Sequence, residues 1–273
     1  MKKRSRDAGK AIAIFDSGVG GLTVAREIMR VLPGERLLYL GDTARFPYGM
    51  RSRETVSRMT DECVNLLLSN DIKLLVIACN TATAFAYDDI RERHPSLPVV
   101  GVIEPCVHAV ASKIRSGAVG VIGTEGTIHS GIYAQKLKIA APALKTYSVA
   151  CPLFVPIIEE GIFKGPLVNH AVDLYLKRFK RTGIRAIILG CTHYPFFKTK
   201  IRDYFNGRVK VMDSATRTAA AVAEKLGVLG LRAPRRRVAF GDHRFMVTDY
   251  PEKFRRTGEL FLGQTLLIEK VTI

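Results

Sequence analysis

An alternation constrains this chain more than anything else in its sequence. Short, continuously apolar runs are separated by longer segments with helical periodicity. The runs are Ala11–Phe15, Leu37–Leu40, Leu74–Ala78, Val99–Val102, Val119–Ile122, Ala186–Leu189 and Val209–Met212, with weaker ones at Lys145–Val149, Arg237–Phe240 and Leu266–Val271. Helical patterns occupy Leu22–Leu32, Glu54–Leu68, Ala82–His94, Leu167–Lys180 and Ala215–Leu226. A strand that is apolar at every position is buried on both faces. Such strands alternating with helices predict parallel α/β sheets. In that architecture ligands sit beyond the carboxyl ends of the strands, so the residues just after each run are the ones placed to carry function.

Small polar residues occupy those positions. Asp16, Ser17 and Gly18 come after the first run, Gly41, Asp42 and Thr43 after the second, and Gly123 and Thr124 after a later one. Two runs end in cysteine. "LLVIACNTATA" delivers Cys79 with Asn80 and Thr81 behind it, and "AIILGCTHYP" delivers Cys191 with Thr192 and His193 behind it. Helix N-capping by Asp, Ser and Thr accounts for the hydroxyls and carboxylates. It does not account for the two cysteines, because Cys is not a favoured cap. One cysteine motif in each half predicts two similar flavodoxin-like parallel lobes whose strand ends face one cleft. The chain is expected to leave the first lobe near Gly101 and return near Val211. That gives one lobe from residues 1–101 and 212–273 and a second from 102–211, with the paired crossings as a hinge that closes on substrate.

Two thiols can do several things. A disulfide exchange site usually places its thiols close in sequence, and these are far apart. Acyl transfer could use Cys191 with His193 but leaves Cys79 without a role. Inverting a carbon stereocentre needs one group to remove a proton from one face and a second to deliver a proton to the other. A free thiol has a pKa of about 8.5, so thiol and thiolate are both accessible near neutrality. Asp16 and His193 then stand as helpers, one for each thiol.

Composition narrows the setting. A chain of 273 residues, 47% hydrophobic, can bury a sizeable core. No apolar run is long enough to span a membrane. The basic start "MKKRSRDAGK" is succeeded by too short an apolar run for a signal peptide and reads as a disordered tail. Five cysteines without a C-x-x-C pair fit reduced thiols in the cytoplasm, and no clustered Cys and His set points to a metal. Cys63, Cys106 and Cys151 read as core residues. The formal charge of +17 admits an anionic partner, nucleic acid included. No helix-turn-helix, zinc finger or aromatic-interleaved basic platform accompanies it. "DSGVGG" is a poor match to a dinucleotide loop, and no lysine lies in a pyridoxal phosphate motif.

Seven segments carry a resemblance: "AIFDSGVGGLTVAREI", "YLGDTARFPYG", "VIACNTATA", "VVGVIEP", "CPLFVPIIEEG", "LGCTHYP" and "VMDSATRTA". In that order, over roughly residues 11–270, they resemble the glutamate racemases. Related aspartate and hydantoin racemases share the two-cysteine plan but usually lack the "DSGVGGL" and "PYG" pair. The resemblance implies cofactor-independent interconversion of L- and D-glutamate for peptidoglycan synthesis, with Cys79 and Cys191 as the acid/base pair. It implies that Asp16, Ser17, Tyr48, Gly49, Asn80, Thr81, Thr192 and His193 bind substrate or assist, with Thr124 and Glu159 as further contributors. It allows for a homodimer. Two other readings stay open: a racemase of another amino acid such as aspartate, and a basic nucleic-acid-binding protein on a racemase scaffold.

Overall fold

The computed structural model describes residues 7–234 and 237–273. The basic stretch Lys2–Arg6 and the pair Arg235–Arg236 lie outside the described residues. Among the described residues ten strands form two sheets. β1 (Ala11–Asp16), β2 (Leu37–Gly41), β3 (Ile72–Ile77), β4 (Val99–Gly101), β9 (Arg244–Val247) and β10 (Ile268–Lys270) make one, in the order β10-β9-β2-β1-β3-β4. β5 (Gly117–Gly123), β6 (Leu144–Ala150), β7 (Ile184–Gly190) and β8 (Lys210–Asp213) make the other, in the order β6-β5-β7-β8. Every pairing is parallel.

The order β2-β1-β3-β4 of the first sheet recurs as β6-β5-β7-β8 in the second. The two sheets are therefore topological copies, although their sequences share little beyond the cysteine motifs. β9 and β10 extend the edge of the first sheet only. The thiols occupy equivalent places, since Cys79 comes just after β3 and Cys191 just after β7.

Three expectations need correction. Arg237–Phe240 is not a strand; the strand in this part of the chain is Arg244–Val247, paired between β10 and β2, whose Phe245, Met246 and Val247 are buried. Its apolar run is short and opens on an arginine, which hides it in the sequence. β3 begins at Ile72, before the expected Leu74, because the intervening Lys73 is buried against Glu35 at 2.5 Å and also donates to the carbonyl of Leu231. A charge can sit in a strand when it is paired and hydrogen-bonded. The expected crossing at 211/212 falls inside β8, so the second sheet continues to Asp213.

The helix that leaves β8, Ser214–Leu229, packs against both Leu22–Val31 and Ile103–Ala111. Its Ala219, Val222 and Leu226 belong to one apolar cluster with Ile12 and Ile14 of the first sheet and Val119 and Val121 of the second. The two sheets thus share a continuous core on one side and leave their strand ends to meet on another.

Candidate active site

Register brings the strand ends level. In the first sheet Asp16 lies beside Gly41, and Phe15 beside Ile77. In the second, Gly123 lies beside both Ala150 and Gly190. The residues beyond these ends form two rims around a cavity of about 310 Å³. The first rim contributes Ser17, Tyr48, Gly49, Cys79, Asn80 and Thr81; the second contributes Thr124, Glu159, Cys191, Thr192 and His193. Asp16 is fully buried behind this lining rather than in it.

Cys79 is 6% exposed and is the N-cap of the helix Asn80–Arg93, its sulfur accepting from the Ala82 N–H at 3.5 Å. Its thiol donates to Ser17 Oγ at 3.5 Å. Capping and a place in the cavity lining are alternatives in the sequence; in the structure one sulfur does both. Burial, reinforced by the nearby Asp16 charge, pushes the Cys79 thiol up to about 12 against the pull of the Ala82 and Ser17 contacts. Cys79 therefore rests as the thiol.

Cys191, also 6% exposed, lies 3.8 Å from His193 Nδ1, and His193 Nε2 lies 2.6 Å from Glu159 Oε1. Burial works against a charged imidazole here. The hydrogen bonds to Cys191 and Glu159 and the Glu159 charge outweigh it and hold His193 well above its ordinary pKa. His193 is thus a proton donor held against Cys191 and oriented from behind by Glu159. The two thiols differ in their helpers: a neutral hydroxyl for Cys79, a cation for Cys191.

Asp16 joins the halves. Its Oδ1 accepts from the Gly18 N–H at 2.9 Å and its Oδ2 from the Thr192 hydroxyl at 3.3 Å. Burial raises its pKa to about 6, against the lowering effects of His193, the Gly18 and Gly21 N–H groups and Thr192. Close approach explains a neighbouring glycine. A Cβ on Gly20 would lie 2.4 Å from both His193 Nδ1 and Thr192 Oγ1, so only glycine lets the first loop pass the second rim.

The remaining lining is built for an acceptor. Thr81 Oγ1 lies 2.9 Å from Thr124 Oγ1 and 3.1 Å from Thr127 Oγ1, across the cleft. Asn80 Nδ2 is buried with no partner. Among the described residues no arginine lines the cavity; Lys253 is its one basic side chain of that length, and it also pairs with Glu160 at 3.4 Å. Arg45, which flanks "PYG", is spent on Asp42 and Glu62. The Tyr48 hydroxyl donates to Asp42 Oδ2 at 2.5 Å, leaving the ring and backbone of Tyr48 to the cavity.

Sequence reasoning missed the apolar wall of Phe46, Pro152, Val155 and Pro156, and missed Lys253. Only "CPLFVP" carried a signal for the wall, and nothing marked Lys253. Cys63, Cys106 and Cys151 are buried outside the lining, as expected. Among the described residues no group of three His, Cys, Asp or Glu side chains could hold a metal ion, and no helix is long and apolar enough to cross a membrane.

Residues 21–223 match the protein family described as Asp/Glu/hydantoin racemase. The chain is 48% identical over 257 residues to the glutamate racemase of Geobacter metallireducens, with 94% of each chain covered. It resembles the crystal structure of the Francisella tularensis glutamate racemase in complex with D-glutamate, with a TM-score of 0.91 and 37% identity over 97% of this chain and 98% of that one. A glutamate racemase isoform from Bacillus anthracis gives a TM-score of 0.92, also at 37% identity and the same coverage.

Proposed function

The chain belongs to the Asp/Glu/hydantoin racemase family, and from that premise we propose that it interconverts L- and D-glutamate by a two-base mechanism, Cys79 and Cys191 serving opposite faces of one Cα. One observation carries the reading: two buried thiols at equivalent strand ends of two topologically matched sheets line the same cavity. In one direction the thiolate of one cysteine removes the Cα proton while the thiol of the other delivers a proton from the far side; in the reverse direction they exchange roles.

Charge explains how a thiol with a pKa of about 12 becomes a base. The α-ammonium of an amino acid, drawn to the buried Asp16 carboxylate, arrives beside Cys79. A cation about 4 Å from a thiolate contributes about 4 kcal/mol at an effective dielectric of about 20, the size of the penalty that burial imposes. Substrate thus helps to ionise the group that attacks it, the thiol proton leaving to solvent as the amino acid enters. At Cys191 the His193 imidazolium, held by Glu159, gives and recovers the proton that the sulfur exchanges. The 310 Å³ cavity keeps bulk water from the carbanion. In the same reading the parts of the chain before Gly101 and after Asp213 act as one lobe and the intervening residues as the other. Substrate enters by a small parting of the lobes, limited by their shared core. The chain works without an organic cofactor, in the cytoplasm, and supplies D-glutamate for peptidoglycan. Five unpaired cysteines support a reducing compartment.

The side-chain carboxylate is held by neutral donors, with Thr81, Thr124, Asn80 and backbone N–H groups in place of an arginine. A hydrogen bond to a charged acceptor contributes about 1.5–3 kcal/mol, so several suffice. Thr81→Val and Thr124→Val should each raise KM for glutamate by about 10- to 150-fold with a smaller change in kcat. An unchanged KM in both would place the carboxylate elsewhere. Polarimetry tests the activity itself. Solutions of L- and of D-glutamate should both decay to zero rotation with the purified chain and no added cofactor, and aspartate should be turned over far more slowly. Racemisation of aspartate in preference to glutamate would transfer the reading to the other amino acid.

A further inference from the structure

We infer that Tyr133 is a positioning residue: it fixes the side-chain amide of Asn80, a residue of the cavity lining, so that the NH2 group is the end left without a partner, which tunes this part of the site to a carboxylate oxygen and against an ammonium. The inference rests on the glutamate reading above. Tyr133 belongs to the helix Ile132–Ala140, between β5 and β6 of the second sheet, whereas Asn80 comes just after Cys79 at the end of β3. The Tyr133 hydroxyl donates to Asn80 Oδ1 at 2.7 Å across the cleft, and both residues are 2% exposed.

An asparagine amide has nearly the same shape in its two orientations, and only hydrogen bonding distinguishes them. Here the choice is made by the tyrosine. The buried O–H proton needs an acceptor, and Asn80 Oδ1 is the one it has. Rotating the amide by half a turn would leave that proton facing an NH2 group and strand it. With Oδ1 committed, Nδ2 is left buried and without a partner in a side chain that lines the cavity. An unmet buried donor is unfavourable, so it favours whatever brings an acceptor. A carboxylate, which only accepts, fits; an ammonium, which only donates, is repelled.

The ring of the same tyrosine packs beside the other thiol. A Cβ on Gly190, the residue before Cys191, would meet Tyr133 Cε2 at 3.1 Å. Tyr133 thus touches the residue after one thiol and the residue before the other. Phenylalanine would keep the ring contact and lose only the hydroxyl, so Tyr133→Phe separates amide orientation from packing.

The test uses the full chain and glutamate. Tyr133→Phe should raise KM about 10-fold for both enantiomers, with kcat within about three-fold of the unaltered chain. Asn80→Ala should raise KM at least as far, and the double variant should match Asn80→Ala alone, because a residue acting through Asn80 has nothing left to act on. A merely structural tyrosine would instead multiply its effect with that of Asn80→Ala. Asn80→Asp supplies a second route should Tyr133→Phe fold poorly, since it keeps the acceptor for Tyr133 and removes the donor; KM should again rise. Unchanged KM in Tyr133→Phe or Asn80→Asp, or multiplicative effects in the double variant, would overturn the inference while leaving the racemase reading standing. An unaltered chain that racemises no glutamate would overturn the reading and this inference with it.

Discussion

Replacing either Cys79 or Cys191 by serine should lower kcat for racemisation by about 10²–10⁴-fold, the usual contribution of a general acid or base. An alcohol is a far weaker acid than a thiol, so it neither forms the attacking anion nor gives up a proton readily. Serine suits the fold at position 79. At position 79 it can keep the hydrogen bonds to Ser17 and to the Ala82 N–H that the sulfur makes, and it is a better helix cap than cysteine. The Cys79→Ser loss should therefore appear in rate with no loss of thermal stability. The pattern of residual chemistry is more telling than its size. Each variant keeps one thiol, so each should exchange the Cα proton of one enantiomer with deuterated solvent and not that of the other. The two variants should have opposite preferences. A Cys79→Ser or Cys191→Ser protein that racemises near the unaltered rate would remove that residue from the mechanism.

Asp16→Asn should separate activity from stability. The carboxylate is fully buried and its pKa is raised to about 6 from the ordinary 3.8. The folded state therefore holds the Asp16 proton more tightly than the unfolded chain does. Well below pH 4 the group is protonated in both states and burial costs nothing. As pH rises from about 4 to about 6 the unfolded chain ionises first, and stability falls; above about 6 the loss is complete. By linkage it amounts to about 3 kcal/mol. Asparagine can keep the acceptor for the Gly18 N–H without the charge. The variant should match the unaltered protein near pH 3 and exceed it by about 1–3 kcal/mol at pH 7–8 in denaturant titrations. Activity should move the other way. Loss of the counter-charge for the substrate ammonium should lower kcat/KM about 200- to 300-fold, as expected for one unit charge about 5 Å away at an effective dielectric of about 20. The acidic limb of the kcat/KM profile near pH 6 should vanish with it. A variant as active as its parent with that limb intact would assign the limb to another group.

The strands are legible in the sequence where both faces are buried. β1, β5 and β7 read as unbroken apolar runs because helices cover both sides of each sheet. β9 does not, since "RFMV" is too short to show a period and begins with an exposed arginine. The start of β3 is hidden because the pairing that lets Lys73 sit inside comes from Glu35, far away in the chain. The site shows the same division. Cys79, Cys191, Asn80, Thr81, Thr192 and His193 are legible because they come directly after strand ends. Lys253, Pro152 and Tyr133 reach the cavity or its lining through tertiary packing, and no local pattern marks them. The use of the Tyr48 hydroxyl is illegible for the same reason, its partner Asp42 being chosen by the fold of the "GDTARFPYG" loop. The likeness of the two sheets is legible only through the cysteine motif that each half carries; the rest of the repeat is not, because topology is preserved by burial pattern and turn placement rather than by residue identity. The surplus of positive charge has no counterpart in the site.

The central claim, that two different groups serve the two faces of one Cα, is tested most directly by the fate of the hydrogen in the unaltered enzyme. The reaction is started from unlabelled L-glutamate in deuterated water and stopped at a few per cent conversion, and both enantiomers are analysed for deuterium at Cα; the same is then done from D-glutamate. With one thiol on each face, the proton removed stays on one sulfur while a solvent-derived deuteron arrives from the other. The account predicts product that is almost fully deuterated and recovered substrate that is almost unlabelled, from either side. Product that retains the original hydrogen, or substrate that gains deuterium as fast as product does, would mean a single group serving both faces and would contradict it.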